Sequence, residues 1–136
     1  MNLVDKRIMK KVLVIIKSNT KKSDNFSLIY KKCLKQSMAQ ASKVLKTKNY
    51  YSIEDIKKIF TIYYNKVFAN HRNDCMISSL SLHFALYVFG HKNILYVGVE
   101  RFPFSSHAWV EDLEGHILNS EEYLCMNRNI ILKKRL

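Results

Sequence analysis

The sequence predicts an α+β protein in which helices are followed by a small antiparallel sheet. Glycine is absent before Gly90 and Pro103 is the only proline, so the first 89 residues lack the usual markers of strands and tight turns. After Gly90 the sequence changes to short apolar runs rich in Val, Ile, Tyr and Trp, which favour strands. A chain of 136 residues suffices for one core, so we expect a single domain over residues 1–136, with a basic helical part (1–70) and a second part (71–136).

Four helices are predicted from stripes of apolar residues at helical spacing. The third begins after Ser52, which together with Asp55 three residues later resembles a capping box. The fourth ends at Gly90, which supplies a left-handed stop. The predicted helices cover residues 3–16, 24–46, 53–67 and 75–89, and the predicted strands cover residues 94–101, 107–111, 116–119 and 129–132.

The net charge of +12 lies entirely in the first half of the chain. Residues 1–70 contain 16 Lys or Arg against 4 Asp or Glu, whereas residues 71–136 contain 7 of each. Such a surface suits nucleic acid, anionic lipid or an acidic peptide. Only one of the 16 basic residues is arginine, which phosphate and base recognition favour, so a lysine-rich solvated surface is an equal alternative. No nucleic-acid partner is expected, and peripheral membrane contact stays open.

The cysteines and the apolar runs indicate the compartment. Cys33, Cys75 and Cys125 show no C-x-x-C spacing and cannot all pair, which is typical of a reducing environment. The apolar run at 12–16 is bordered by lysines and lacks a small-residue cleavage site. It is also far shorter than the roughly 20 apolar residues that span a bilayer. The sequence therefore predicts a cytoplasmic protein.

Cys75 and His107 are the candidate nucleophile and its base. Cys75 opens a predicted helix, where backbone N–H groups and the positive end of the helix dipole favour a thiolate. His107 follows 32 positions later on a predicted strand, where it can accept the thiol proton. The histidines and cysteines show neither H-E-x-x-H nor paired C-x-x-C spacing. No metal and no cofactor are therefore expected.

The segment around these two residues resembles a known family over roughly residues 73–120. It is similar to the transglutaminase-like leader peptidases of lasso peptide biosynthesis, the B2 family. The matching positions are Cys75, Ser79, Leu80, Leu82, Tyr96-Val97-Gly98-Val99, Pro103-Phe104 and His107-Ala108-Trp109-Val110-Glu111.

The resemblance implies both a fold and an activity. The fold would be a transglutaminase-like or papain-like core, with residues 71–136 as its catalytic part. In the family a Cys-His-Asp set cuts the leader from a lasso precursor peptide. The implied partners are that precursor, a separate leader-binding protein that presents it, and an ATP-dependent cyclase that closes the ring.

The third catalytic position departs from the family pattern. Asn119 stands twelve residues after His107, where the family usually has Asp. An asparagine can hydrogen-bond to the imidazole and fix its tautomer, but it contributes no negative charge. Glu111 and Asp112 are therefore open competitors for the orienting role.

The register of the predicted hairpin decides which side chain faces the imidazole. Side chains alternate between the two faces of a sheet. A three-residue loop over 113–115 places Asn119 on the face of His107. A two-residue or four-residue loop would place Leu118 and Ser120 there instead.

Three aromatic residues near the predicted catalytic strand are candidates for substrate binding. Phe102 and Phe104 precede the strand and could wall a cleft, although ordinary turn packing explains them equally well. Trp109 lies two residues from His107 on the same face and could shield the imidazole from water. A purely structural tryptophan in a strand is the commoner case.

The sequence thus predicts a cysteine peptidase that removes the leader of a lasso precursor through an acyl-enzyme intermediate. Cys75 attacks, His107 transfers the proton and Asn119 orients the imidazole. Two alternatives from other classes stay open. One is acyl transfer to an amine, as in transglutaminases and arylamine acetyltransferases. The other is a basic module that binds nucleic acid or membrane and has a decayed active site, which the charge of residues 1–70 and the Asn at 119 support.

Overall fold

The computed structural model describes residues 1–69, 74–101 and 103–136. Within these ranges, four long helices are followed by two strands, a short helix and a third strand. The predicted α+β order, with helices before a small antiparallel sheet, is confirmed. The elements are α1 (Leu3–Lys22), α2 (Phe26–Thr47), α3 (Ile53–Val67), α4 (Cys75–Val88), β1 (Asn93–Arg101), β2 (Phe104–Asp112), α5 (Glu122–Cys125) and β3 (Asn129–Arg135).

Polar caps set the beginnings of the long helices. The Oγ of Ser52 accepts from the Asp55 amide at 3.1 Å, which fixes the start of α3 where the sequence predicted it. Asn2 and Asn25 cap α1 and α2 through their side-chain oxygens. Gly90 follows α4 with a φ of +88°, the left-handed conformation expected there.

Helix α1 is longer than predicted. The apolar stripe fades after Ile16, yet the helix continues to Lys22 because Asn19 is buried against α2. The Asn19 amide donates to the Ile15 carbonyl at 3.0 Å and to Gln36 Oε1 at 2.8 Å. A satisfied polar contact thus replaces apolar packing in the last turns.

Helix α4 lies at the centre of the fold. Nearly every residue from Ser79 to Val88 is buried, and the helix contacts α1, α2 and α3 as well as β1 and β2. One hydrophobic cluster includes residues from all of these elements. Because α4 is held on all sides, Cys75 at its first position stands on a fixed support.

The three strands form an antiparallel sheet in the order β2-β1-β3. On β2, Ala108 and Val110 are buried, and Val110 belongs to the cluster that the helices form. Because neighbouring side chains on a strand alternate, His107 and Trp109 lie on the opposite face. The candidate base is therefore on the face of the sheet turned away from the helical core.

The loop after β2 has the predicted length. The Asp112 amide donates to the His116 carbonyl at 3.0 Å, which encloses the three residues 113–115. Gly115 supplies a φ of +87° in this loop.

The strand predicted at 116–119 is wrong. Only an isolated bridge joins Glu111 to Ile117, and the Leu118 amide donates to the Val110 carbonyl at 2.9 Å. At the next position the Val110 amide donates to the side-chain Oδ1 of Asn119, at 2.9 Å, and not to a main-chain carbonyl. The side chain takes the place of a main-chain carbonyl, so strand pairing stops at this point.

A buried polar chain connects α2, α4 and β1. His83 is fully buried, its Nε2 lies 2.7 Å from the Tyr30 hydroxyl and its Nδ1 lies 2.6 Å from Asn93 Oδ1. Since an amide oxygen only accepts, Nδ1 carries the proton and Nε2 accepts from Tyr30. Burial lowers the pKa of His83 to about 4, and the Asn93 hydrogen bond opposes this only in part.

Because His83 is buried in its neutral form, we expect the protein to lose stability in weak acid. The unfolded chain binds a proton at His83 below about pH 6.5, whereas the folded chain binds it only near pH 4. The His83 contribution to the free energy of unfolding is therefore complete above pH 6.5, and about 3 kcal/mol is lost as the pH falls towards 4. Urea unfolding at pH 7 and pH 4.5 measures it. A His83→Gln variant should lose this part of the pH dependence, and identical pH slopes for both proteins would contradict the assignment.

Candidate active site

Cys75 is the first residue of α4 and is partly exposed. The Oδ1 atom of Asp74, the N-cap residue, accepts from the Met76 and Ile77 amides at 3.0 Å each. The helix therefore begins where the sequence predicted, but a carboxylate already uses two of its free N–H groups. The Cys75 amide is the first-turn donor that this cap leaves unused.

His107 lies on β2 and is partly buried. Its Nε2 atom is 2.6 Å from the Oγ atom of Ser120. Burial lowers the pKa of His107, and the positive charge of Arg128 lowers it further. At neutral pH the ring is thus neutral, which is the form that can accept a proton.

Trp109 supports the imidazole from one side. The His107 and Trp109 rings stack with centroids 6.0 Å apart, and Trp109 stacks in turn on Tyr96 at 5.6 Å. Gly98, which pairs with His107 across the sheet, leaves space for this stack, because a Cβ there would lie 3.1 Å from the Trp109 ring and 2.8 Å from the Arg128 side chain. Trp109 is only 3% exposed, so the geometry favours shielding of the imidazole over contact with a substrate.

Asn119 connects the second turn of α4 to β2. Its Nδ2 donates to the Ser79 hydroxyl at 2.9 Å, and its Oδ1 accepts from the Val110 amide. The Ser79 hydroxyl donates in turn to the Ala108 carbonyl at 3.0 Å. These bonds hold the helix that carries Cys75 against the strand that carries His107.

The expected hydrogen bond between Asn119 and the His107 imidazole is not among the contacts of the described residues. The amide groups of Asn119 bond to Val110 and Ser79, and the hydroxyl of the next residue, Ser120, bonds to His107. The predicted three-residue loop is present, but the chain leaves the sheet at Asn119 and alternation no longer applies beyond it. A serine hydroxyl can accept from a protonated Nε2 or donate to an unprotonated one, so it suits either charge state of the ring.

The two carboxylates that competed for the orienting role have other partners. Glu111 Oε2 accepts from the Trp109 indole at 3.2 Å. Asp112 accepts from the amides of Glu114 and His116 at 2.9 Å each and lies 2.8 Å from the His116 ring. Glu111 thus braces the tryptophan beneath His107, and Asp112 stabilises the turn.

Phe102 and Phe104 are the remaining aromatic candidates, and the structure describes only Phe104. Phe104 opens β2 and is 74% exposed, so its ring is available to a substrate. Phe102 lies outside the described residues. The role of both in substrate binding stays a prediction.

Three residues near the imidazole were missed as parts of the site. The sequence predicts that Ser120 faces His107 only if the hairpin loop has two or four residues. The one sequence feature that points to Ser120 is its position next to Asn119. Arg128 reaches the area by donating to the Ser105 carbonyl at 3.1 Å. Cys125, whose Sγ lies 3.6 Å from the Glu121 carbonyl, interacts with Ser120, although burial raises the pKa of its thiol overall. Among the described residues, Cys125 is therefore the thiol that lies beside Ser120, the partner of His107.

Within the described residues, no hydrogen bond joins the Cys75 thiol to the His107 ring. The elements that carry them are nevertheless in contact. The hydrogen bond between Ser79 and Ala108 joins the two elements, one helical turn after Cys75 and one residue after His107. The His107 ring is on the face of the sheet turned away from the helices, so the described contacts bring together the two elements but not the two reacting groups. The pairing of Cys75 with His107 stays a prediction.

A comparison with protein families identifies the superfamily of this chain. The profile of the transglutaminase-like superfamily matches residues 40–129, which is more than half of the chain. The chain belongs to the transglutaminase-like superfamily. This superfamily includes cysteine peptidases and transferases, and the matched range contains both Cys75 and His107. A comparison with curated proteins and another with solved structures each found no significant match.

Two further observations bear on this superfamily member. In the described part of the chain, no three His, Cys, Asp or Glu side chains are grouped closely enough to hold a metal ion. No described helix has the length and apolar character needed to cross a bilayer.

Replacement of Asn119 is expected to act mainly on stability. Asn119→Ala leaves the Val110 amide without its acceptor and removes the donor to Ser79, whose hydroxyl keeps its bond to the Ala108 carbonyl. The loss should cost about 1–3 kcal/mol in unfolding free energy. Asn119→Asp keeps the acceptor for Val110 but loses the donor to Ser79, so an intermediate loss is expected. Urea unfolding measures both. An Asn119→Ala protein with wild-type stability and much reduced turnover would instead favour the direct catalytic role that the sequence suggested.

Proposed function

We propose that the protein is a cytoplasmic cysteine peptidase that removes the leader from a lasso precursor peptide. The observation that carries the proposal is the superfamily match over residues 40–129, which contains a cysteine at the start of a central helix and a histidine on an adjacent strand. The lowered pKa of His107 supports its role as the base. The family resemblance of residues 73–120 supplies the choice of substrate.

In the proposed reaction Cys75 is the nucleophile and His107 the proton carrier. Cys75 gives its thiol proton to His107, and the thiolate attacks the carbonyl carbon of the scissile bond. The C–N bond breaks, the imidazolium returns the proton to the leaving amine, and the leader acyl group stays on sulfur as a thioester. Water then attacks the thioester with His107 as base, which frees the leader carboxylate and the thiol.

The local contacts suggest how the imidazole works between these steps. Ser120 holds Nε2 before substrate binds, and the ring must exchange this hydroxyl for the Cys75 thiol to take its proton. Asn119 and Ser79 act as positioning residues because they join the helix to the strand. The Cys75 amide is the proposed first oxyanion donor, since the Asp74 cap uses the Met76 and Ile77 amides.

The proposal includes partners. The precursor would be presented by a separate leader-binding protein, and the freed core peptide would pass to an ATP-dependent cyclase. These partners follow from the family resemblance of residues 73–120.

A cleavage assay tests the proposal. A lasso precursor peptide is incubated with the protein, with and without a leader-binding protein, and the products are identified by mass spectrometry. The expected result is one new free leader carboxylate and one core peptide with a free N-terminus. Transfer of the leader to an added amine, with no hydrolysis, would place the protein among the transferases. An intact precursor in every reaction would contradict the proposal.

A further inference from the structure

A series of clefts on the surface is lined by residues of α1 and α2 and by none of the candidate active-site residues. It consists of three adjoining clefts of about 450, 380 and 470 Å³. Arg7 and Lys11 line both the first and the second cleft, and Gln36 lines both the second and the third. Neighbouring clefts thus share lining residues, and the three together are called the groove.

The rims of this groove are strongly cationic. Helices α1 and α2 contain seven and five basic residues against one acidic residue, Asp5, which is buried. In the part of the chain that the structure describes, no basic residue of the groove pairs with a carboxylate. The basic residues that line it are Arg7, Lys10, Lys11, Lys22, Lys32, Lys35, Lys43 and Lys46.

The floor of the groove is apolar in the first two clefts, whereas the residues that line the third are all polar or charged. Ile8 and Ile15 are buried at its base, while Val4 and Val14 remain 55% and 46% exposed along it. A flat cationic surface would need only charge in its partner. An apolar floor between cationic rims instead fits a partner with an apolar stripe and acidic flanks.

The dimensions suit a peptide segment. The lining residues of α1 run from Val4 to Lys22, which corresponds to about 27 Å of helix. An amphipathic helix of about 18 residues has this length. The profile of the superfamily begins at residue 40, so α1 and most of α2 lie outside the matched range.

We infer that this groove binds an acidic amphipathic segment of a partner polypeptide. The inference rests on charge and shape and is independent of the proposed peptidase activity. Charge complementarity selects an acidic partner, and the apolar floor selects a polypeptide over nucleic acid. Arg7 is the only arginine among the cations, which also disfavours phosphate recognition.

Fluorescence anisotropy with a synthetic probe tests the inference on the full chain. The probe is a labelled helical peptide of about 18 residues with leucines on one face and glutamates on both flanks. A scrambled peptide of the same composition is the control for amphipathicity. The groove variant is Arg7→Glu/Lys11→Glu/Lys43→Glu. Its matched control, Lys21→Glu/Lys31→Glu/Lys58→Glu, makes the same charge change at exposed lysines that do not line the groove.

The inference predicts that the groove variant binds the probe at least about tenfold more weakly than wild type, while the control variant stays within about threefold. Binding should also weaken between low and physiological salt, and Val14→Ser should weaken it further. Equal losses in the two triple variants would show that only net charge matters and would overturn the inference. Equal affinity for the probe and the scrambled peptide would also overturn the inference. The same holds if single-stranded DNA or anionic phosphatidylglycerol vesicles bind to the groove more tightly than the probe does. Circular dichroism confirms that each variant is folded.

Discussion

Replacement of Cys75 by alanine is expected to reduce leader cleavage by roughly 10³-fold or more, because the thioester route requires the sulfur. The side chain is only partly buried and takes part in no hydrogen bond within the described residues, so the fold should be retained. The measurement is the rate of leader release, followed by mass spectrometry, with circular dichroism to confirm folding.

The other two cysteines provide the controls for this prediction. Cys33 is fully buried and its pKa is raised to about 11, so Cys33→Ala should leave the chemistry unchanged. Cys125 is the more demanding control because it lies beside Ser120, the partner of His107. Cys125→Ala should retain at least about half of the wild-type rate, since a residue outside the covalent step costs little. A Cys125→Ala protein that is inactive beside an active Cys75→Ala protein would reassign the nucleophile.

Replacement of His107 by alanine is expected to lower the rate of acylation by about 10²–10⁴-fold, the usual effect of a lost general base. The fold should persist, although Trp109 would lose one of its two stacking partners. Single-turnover kinetics with excess enzyme measures the effect. A rate within a few-fold of wild type would exclude His107 as the base.

The pH profile gives a second readout on the same residue. Burial is the main cause of the lowered pKa of His107, and the charge of Arg128 lowers it further. Arg128→Gln should therefore raise that pKa in part and shift the acid limb of the rate profile to higher pH. Arg135→Gln on β3 is the matched control and should leave the profile in place. An unchanged acid limb in Arg128→Gln would mean that another group limits the rate in acid.

Much of the fold could be predicted from local patterns. The absence of glycine before Gly90, the Ser52 cap and the apolar stripes indicated the helices, because these signals act within a few residues. The end of α1 could not be predicted in this way, since it depends on Asn19 meeting Gln36 of another helix. Contacts between elements that are distant in sequence leave no local periodicity.

The site was predictable to the extent that strand alternation applied. His107 and Trp109 share a face because both lie within β2. Asn119 stands where the chain leaves the sheet, and its side chain bonds to the strand edge, which directs Ser120 to the imidazole. The register was correct, but it could not show where pairing would stop. The role of Arg128 likewise depends on how the chain returns towards β3 and is invisible in spacing.

The most direct test of the account is to trap the acyl-enzyme and map it. Enzyme, precursor and leader-binding protein are mixed, the reaction is stopped in acid at early times, and the intact mass and its peptide fragments are measured. The account predicts a thioester of the leader on the fragment that contains Cys75, absent from Cys75→Ala and present in Cys125→Ala. An adduct on Cys125, or leader release that continues in Cys75→Ala, would contradict it.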